Sequence, residues 1–300
     1  MVGGTKVETK WIIAYALSLG LPFFLHRAFL GSVQKRLHYM GMQRVNYRGN
    51  EVLTAGGVLI VASTTLTVGV VVLYLATSGT STVSLNHGLL LVTGMITLAV
   101  WGWLDDCSKD ESKKGFRGHF GALWREGKVT SGLWKAWGGG STALLISLAI
   151  GQSFWTWLLA ASLLTLAPNV LNLFDMRPAR ALKVFWLLLL IAGVAGYYSP
   201  SPASSIVDWV WLLPVITSSI LLFRHDAGGK LMLGDTGANS LGFATGYAFV
   251  IHSSSYVQVT MLFIFITLHV MAEFISFSQF IDRLPWLKRM DSWGRSAESE

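Results

Sequence analysis

Apolar residues along this chain run in long stretches, and short polar connections separate them. The stretches fall at about 11–30, 57–77, 88–104, 133–150, 154–171, 182–198, 207–223, 238–253 and 257–278. Runs of 18 or more apolar residues read as membrane spans, since ~20 helical residues cross ~30 Å of hydrocarbon. In lipid each backbone N–H and C=O must pair within its own segment, so every stretch predicts a helix. The expected fold class is therefore all-α, a polytopic integral membrane protein of about nine transmembrane helices. Residues 1–278 form the transmembrane domain, and residues 279–300 form a basic amphipathic tail. In the tail Ile281, Leu284, Trp286, Leu287 and Trp293 alternate with basic residues, which suits an interfacial segment. At the other end, Lys6 and Lys10 precede the apolar run from Trp11 to Phe24. This resembles a signal peptide, but no small-x-small site follows and the run continues to Leu30, so it is read as a first span.

Composition strengthens the membrane reading. Of 300 residues, 52% are hydrophobic and only 13% charged, with a mean hydropathy of +0.52. A soluble domain carries about 25% charged residues, so a water-solvated globule is excluded. The single cysteine, Cys107, excludes a disulfide framework and a zinc site built from several thiolates. A net charge of +7 in a membrane protein marks basic loops that hold orientation and attract anionic lipid, so nucleic acid is set aside as a partner. All but Lys6 and Lys10 of the 23 Lys and Arg residues fall on one set of connections. The positive-inside rule makes that face cytoplasmic, with the N-terminus outside and the C-terminus inside. Acids contribute little to such sorting. Yet all but Glu8 and Asp208 of the 16 Asp and Glu share the basic face, which marks it as the working surface.

Three polar clusters sit where helices meet that face. Asp105 and Asp106 end the third span. Adjacent carboxylates repel, and a helix C-terminus disfavours acids, so the pair calls for a cation or donor beside it; a solvated helix end is the plainer alternative. Asn169, Asn172 and Asp175 close the fifth span at intervals of three and so share a helix face. They offer oxygen ligands to a hard cation, or hydrogen bonds between helices. Arg177 and Arg180 follow as candidate phosphate contacts. The third cluster is Gly234-Asp235-Thr236-Gly237, ahead of the eighth span. Its glycines admit close approach of a ligand, and its position at a helix start favours anions; Asp and Thr are also ordinary N-caps. One hard divalent cation would explain all three, since Mg²⁺ takes one or two carboxylates plus substrate phosphates.

Together these clusters resemble the polyprenyl-phosphate N-acetylhexosamine-1-phosphate transferases, the superfamily of phospho-N-acetylmuramoyl-pentapeptide transferase. The Asp-Asp pair, the Asn-x-x-Asn-x-x-Asp stripe and Gly-Asp-Thr-Gly occur in that family's order, and Thr54-Ala55-Gly56-Gly57 is similar to its Thr-x-Gly-Gly motif. The resemblance implies Mg²⁺-dependent transfer of a sugar 1-phosphate from a UDP-sugar to a polyprenyl phosphate, with release of UMP. Mn²⁺ would be a substitute metal. It implies a plasma-membrane enzyme with a cytoplasmic active site, in cell-wall or surface-glycan synthesis, and its members are often dimers. Asp235 and Asn172 would hold the metal, and Asp105, Asp106 and Asp175 would be catalytic. Asn169, Arg48, Thr54, Lys113, Lys114, Arg177, Arg180 and Gly234 would bind substrate. Met232 stands where the family often places an aromatic residue that stacks on uracil. The chain departs from the family in three further places: Asp175-Met176-Arg177-Pro178-Ala179 replaces Asp-Gly-x-Asp-Gly, Arg224 stands in place of the Asn usual after the seventh span, and the tail replaces a His-rich loop. The rival expectation is a non-enzymatic binder or transporter of the lipid carrier on the same scaffold.

Overall fold

The computed structural model describes residues 3–46, 49–108, 131–201 and 206–295, with side chains for 9–46, 49–108, 137–201 and 208–295. The described chain is all-α apart from one small hairpin. Helix α1 spans Gly3–Tyr39 and leads into strands β1 (Gln43–Val45) and β2 (Glu51–Leu53). Helices α2 (Gly57–Thr77), α3 (Thr82–Cys107), α4 (Ser131–Ile150), α5 (Phe154–Phe174) and α6 (Arg180–Tyr198) follow. A 3₁₀ segment, Ile206–Trp211, precedes α7 (Leu213–Ala227), α8 (Gly234–His252) and α9 (Ser255–Ala272). Two short helices, α10 (Phe277–Arg283) and α11 (Pro285–Ser292), complete the described chain.

Among the described residues, six helices are long and apolar enough to cross a membrane: α1, α2, α3, α5, α6 and α9. The expected span at 57–77 coincides with α2. Others shift for visible reasons. Helix α1 continues to Tyr39, so Lys35 and Arg36 lie on its last turns rather than in a loop. Pro214 sits at the first positions of α7, where its fixed φ suits a helix start; the expected 207–223 segment is therefore split into a 3₁₀ turn and a shorter helix. The ninth helix stops at Ala272, before the polar Glu273.

Helix α8 is the centre of the bundle. Every residue from Thr236 to His252 is buried, with α3 and α5 packed most closely and α2 and α6 completing the enclosure. Its sequence explains this. Small residues at a helix interface let backbones approach closely, and α8 carries Gly237, Gly242 and Gly246 on different sides. A Cβ on Gly237 or Gly57 would strike the facing glycine's backbone on α2 or α8 respectively. A Cβ on Gly242 would strike Pro168 of α5, and one on Gly246 would lie 3.0 Å from the Leu163 carbonyl oxygen. The large Phe243 of α8 in turn fills the space left by Gly94 of α3. Because α8 meets helices on all sides, it has no need of an apolar lipid-facing stripe.

Both ends of the bundle are tied by polar contacts. At one end Ser84 Oγ donates to the buried Asp208 at 2.9 Å and the Tyr247 hydroxyl donates to the His87 carbonyl at 2.8 Å. His252 stacks on Trp209 at the same end, with centroids 4.3 Å apart. The other end gathers the C-termini of α1, α3, α5 and α7 with the N-termini of α2, α6 and α8, and holds the candidate site.

Candidate functional site at the start of α8

The site is assembled on the backbone of residues 231–237. Leu53 accepts a hydrogen bond from Met232 N at 2.7 Å, while Gly56 N donates to the Met232 carbonyl at 2.8 Å and Gly57 N to the Leu233 carbonyl at 2.9 Å. The Thr54–Gly57 stretch is thus fastened directly to the segment that opens α8. Gly234 adopts φ +71°, the left-handed region that favours glycine. An added Cβ there would lie 2.6 Å from Ala55 N, 2.8 Å from Thr54 Oγ1 and 2.9 Å from Asp106 Oδ2. Glycine is therefore required twice over, by its dihedral and by the crowding around it.

Asp106 explains how two acids can end one helix. Its carboxylate accepts from Asp235 N at 3.1 Å, from Thr236 N at 3.0 Å and from Thr236 Oγ1 at 2.6 Å. These are the unpaired first-turn donors of α8, and the positive end of that helix's dipole favours an anion there. The repulsion between Asp105 and Asp106, and the unfavourable dipole of α3, are offset by a second helix that starts where the first stops. Arg44 of the hairpin adds a cation at the same point. Its guanidinium donates to the backbone carbonyls of Asp106 (3.0 Å) and Ser108, capping the open end of α3.

The second cluster joins from the far side of α8. Asn172 Nδ2 donates to Asn239 Oδ1 at 2.9 Å, and Asn239 lies one turn beyond Asp235 on the same helix face. Asn172 Oδ1 is buried without a hydrogen-bond partner, as is Asn239 Nδ2. Asn169 does not take part in this contact; its amide donates to the Thr165 carbonyl of its own helix at 3.3 Å. Asp175 is the C-terminal capping residue of α5.

Arg177 and Arg180, expected to face phosphates, are given to the tail instead. Arg177 makes a two-pronged pair with Asp282 at 2.9 and 2.6 Å. Arg180 is 3% exposed and makes another with Asp291 at 2.8 and 2.7 Å, with Ser278 Oγ at 2.9 Å on its third donor. Arg295 completes the group, pairing with Asp291 at 2.8 Å and donating to the Pro178 carbonyl at 3.0 Å. The stretch that departs from the family's Asp-Gly-x-Asp-Gly pattern is thus the stretch on which the tail docks. Asp282 sits outside the bundle, and Arg177's hydrogen bonds hold its carboxyl below the usual range. Burial alone would raise Asp291, but the hydrogen bonds and charges of Arg180 and Arg295 outweigh it and hold that carboxyl low as well.

Of the residues expected to form the site, Thr54, Asp106, Met232, Gly234 and Asp235 therefore meet directly, with Asp105 beside Asp106 on the last turn of α3 and Asn172 joined through Asn239. Arg48, Lys113 and Lys114 lie outside the described residues. Sequence reasoning missed Arg44, Asn239 and Asp226. Asp226, fully buried, accepts from Ala179 N at 2.7 Å and Leu233 N at 3.1 Å, and so pins the residues just before α6 and α8 to each other. The signal for it was present: a carboxylate in the last turn of an apolar helix invites the question of what pairs with it. Among the described residues, no group of three or more His, Cys, Asp or Glu side chains is placed to hold a metal ion. Comparison with models of known protein families and with curated proteins finds no match.

Proposed function

We propose that this chain transfers a sugar 1-phosphate from a UDP-sugar, of the N-acetylhexosamine class, to a polyprenyl phosphate in a membrane, releasing UMP. One observation carries the reading: residues 54–57, 106, 172 and 232–239, far apart in sequence, are interlocked around the first turns of one buried helix. In this reading all nine long helices span the bilayer, the N-terminus lies outside, and the site faces the cytoplasm. The asymmetry of Lys and Arg supports that orientation.

The donor set fits Mg²⁺ held by few protein ligands. In this reading Asp235 and Asn172, whose Oδ1 is buried without a hydrogen-bond partner, would supply the oxygen ligands, while Asp106 accepts from the first turn of α8. Mg²⁺ takes one or two carboxylates and completes its shell with water and phosphate; when bound it would neutralise the diphosphate of the donor. Asp106 fixes the start of α8, and so fixes Asp235. Asp105 orients the lipid phosphate. That nucleophile needs no strong base, because a phosphate monoester's second pKa is about 6. Its oxygen attacks the phosphorus bearing the sugar, the bond to the α-phosphate breaks, and UMP leaves with the electron pair. The protein's part is positioning and charge neutralisation.

The test is UMP release by purified protein with Mg²⁺, polyprenyl phosphate and a panel of UDP-sugars. Release is expected only when the lipid phosphate is present, and Asp235→Asn is expected to abolish it without changing the melting temperature. Full turnover by that variant removes Asp235 from the metal. A second reading, a non-catalytic polyprenyl-phosphate binder, is favoured by one feature: the cations Arg177 and Arg180 are matched by tail carboxylates. It predicts lipid-phosphate binding with no UMP release from any UDP-sugar.

A further inference from the structure

A groove of about 670 Å³ runs along the outside of α1, α2 and α3 and reaches Thr236 at the start of α8. On α2 its lining extends from Val58 to Leu66, about 12 Å at 1.5 Å per residue. Its walls are almost wholly apolar, and Leu66, Ile96 and Val100 along it are exposed. The groove therefore opens sideways, toward the hydrocarbon if these helices lie in a bilayer. At the basic end the character changes. Arg36 belongs both to the groove and to an adjoining hollow of about 700 Å³ lined by Ser32, Lys35, Arg36, Tyr39 and Met40. Lys35 and Arg36 are exposed, and neither pairs with a carboxylate among the described residues. An apolar slot is thus continuous with a cationic shelf at its end.

We infer that this groove is a binding site for an anionic diacyl phospholipid, with one acyl chain in the slot and the headgroup phosphate on Lys35 and Arg36. Free phosphate leaves the slot bare, and a neutral lipid leaves both cations without an anionic partner among the described residues; an anionic lipid satisfies both halves. Lys and Arg suit the task because their aliphatic stems lie along apolar surface while the charge reaches the headgroup layer. The site touches the α8 cluster through one residue. Thr236 forms part of the groove wall and donates its hydroxyl to Asp106 at 2.6 Å, so a bound chain covers the lipid side of that hydrogen bond. The inference is independent of the proposed reaction, and its test reads binding alone.

The experiment is native mass spectrometry of the full chain released from detergent after incubation with phosphatidylglycerol or phosphatidylcholine. One phosphatidylglycerol molecule is expected to stay bound in preference to phosphatidylcholine. Each cation near an anionic headgroup is worth about a fivefold change in binding, so Lys35→Glu with Arg36→Glu is expected to lower retention by about tenfold or more. These residues are exposed, so the fold does not depend on them. Ala62→Trp, which fills the slot, is expected to remove the adduct, and Leu145→Trp on the outside of α4 is expected to leave it. Equal retention of the two lipids, or an adduct indifferent to both the charge reversal and the filled slot, overturns the inference. Displacement of the phospholipid by equimolar polyprenyl phosphate also overturns it, by giving the groove to a different lipid.

Discussion

Gly234 and Asp226 show how much of the site depends on single residues that perform no chemistry. Gly234→Ala combines a positive φ with contacts under 3 Å to Ala55, Thr54 and Asp106. It is expected to destabilise the protein by about 1–3 kcal/mol and to lower the melting temperature in detergent. Asp226→Ala orphans two buried donors, Ala179 N and Leu233 N, each at about 1–3 kcal/mol. The same melting measurement is expected to show a larger loss than for Gly234→Ala, and a Gly234→Ala variant that melts with the wild type would remove the steric account of this turn. Gly234 and Asp235 stood out in the sequence as a glycine beside a carboxylate at a helix start, and Asp106 as one of two adjacent acids at a helix end. Asp226 announced only that it needed a partner, since one acid at the end of an apolar run gives no hint of which distant N–H groups it will meet.

At the scale of elements, the long apolar runs announced the helices, because a 3.6-residue helix is the structure that pairs its backbone without outside help. The hairpin of β1 and β2 was missed although Asn46, Gly49 and Asn50 between two short β-like runs are turn signals; three-residue strands are too short for alternation to register. The role of α8 was also hidden. Its Gly, Ser, Thr and Asn residues dilute its apolar character, and only the packing shows that they face other helices. The fit between α8 and α3 is testable as a pair. Gly94→Ala places a methyl group into the Phe243 ring, and overpacking of this kind costs about 1–3 kcal/mol. Phe243→Leu in the same chain is expected to return much of that loss, giving a coupling energy above about 0.5 kcal/mol in a double-mutant cycle. Additive losses would mean that α3 shifts to absorb the methyl.

Across the whole molecule, the tail and the bundle are one unit, joined by pairs 105 to 111 residues apart in the chain. No local pattern in the sequence predicts such pairings; the basic and aromatic spacing there pointed only to an interfacial segment. Arg180 and Asp291 are both buried, and removing one partner of a buried pair costs about 3–5 kcal/mol. Asp291→Asn is therefore expected to release residues 285–295, seen as faster hydrogen exchange there with α2 unaffected. Acid is expected to do the same. Asp282 and Asp291 have lowered folded values, so their contribution is complete above the unfolded carboxylate value of about 3.9 and fades as the pH falls through the folded values. Docking is expected to hold at pH 5 and loosen below about pH 4; unchanged exchange at pH 3 would show that aromatic contacts such as Phe223 with Trp293 suffice. The enclosure of α8 also bears on biosynthesis. The helices that surround it most closely, α2, α3, α5 and α6, all leave the ribosome first, so the segment least suited to meet lipid alone is made when its seat is already built.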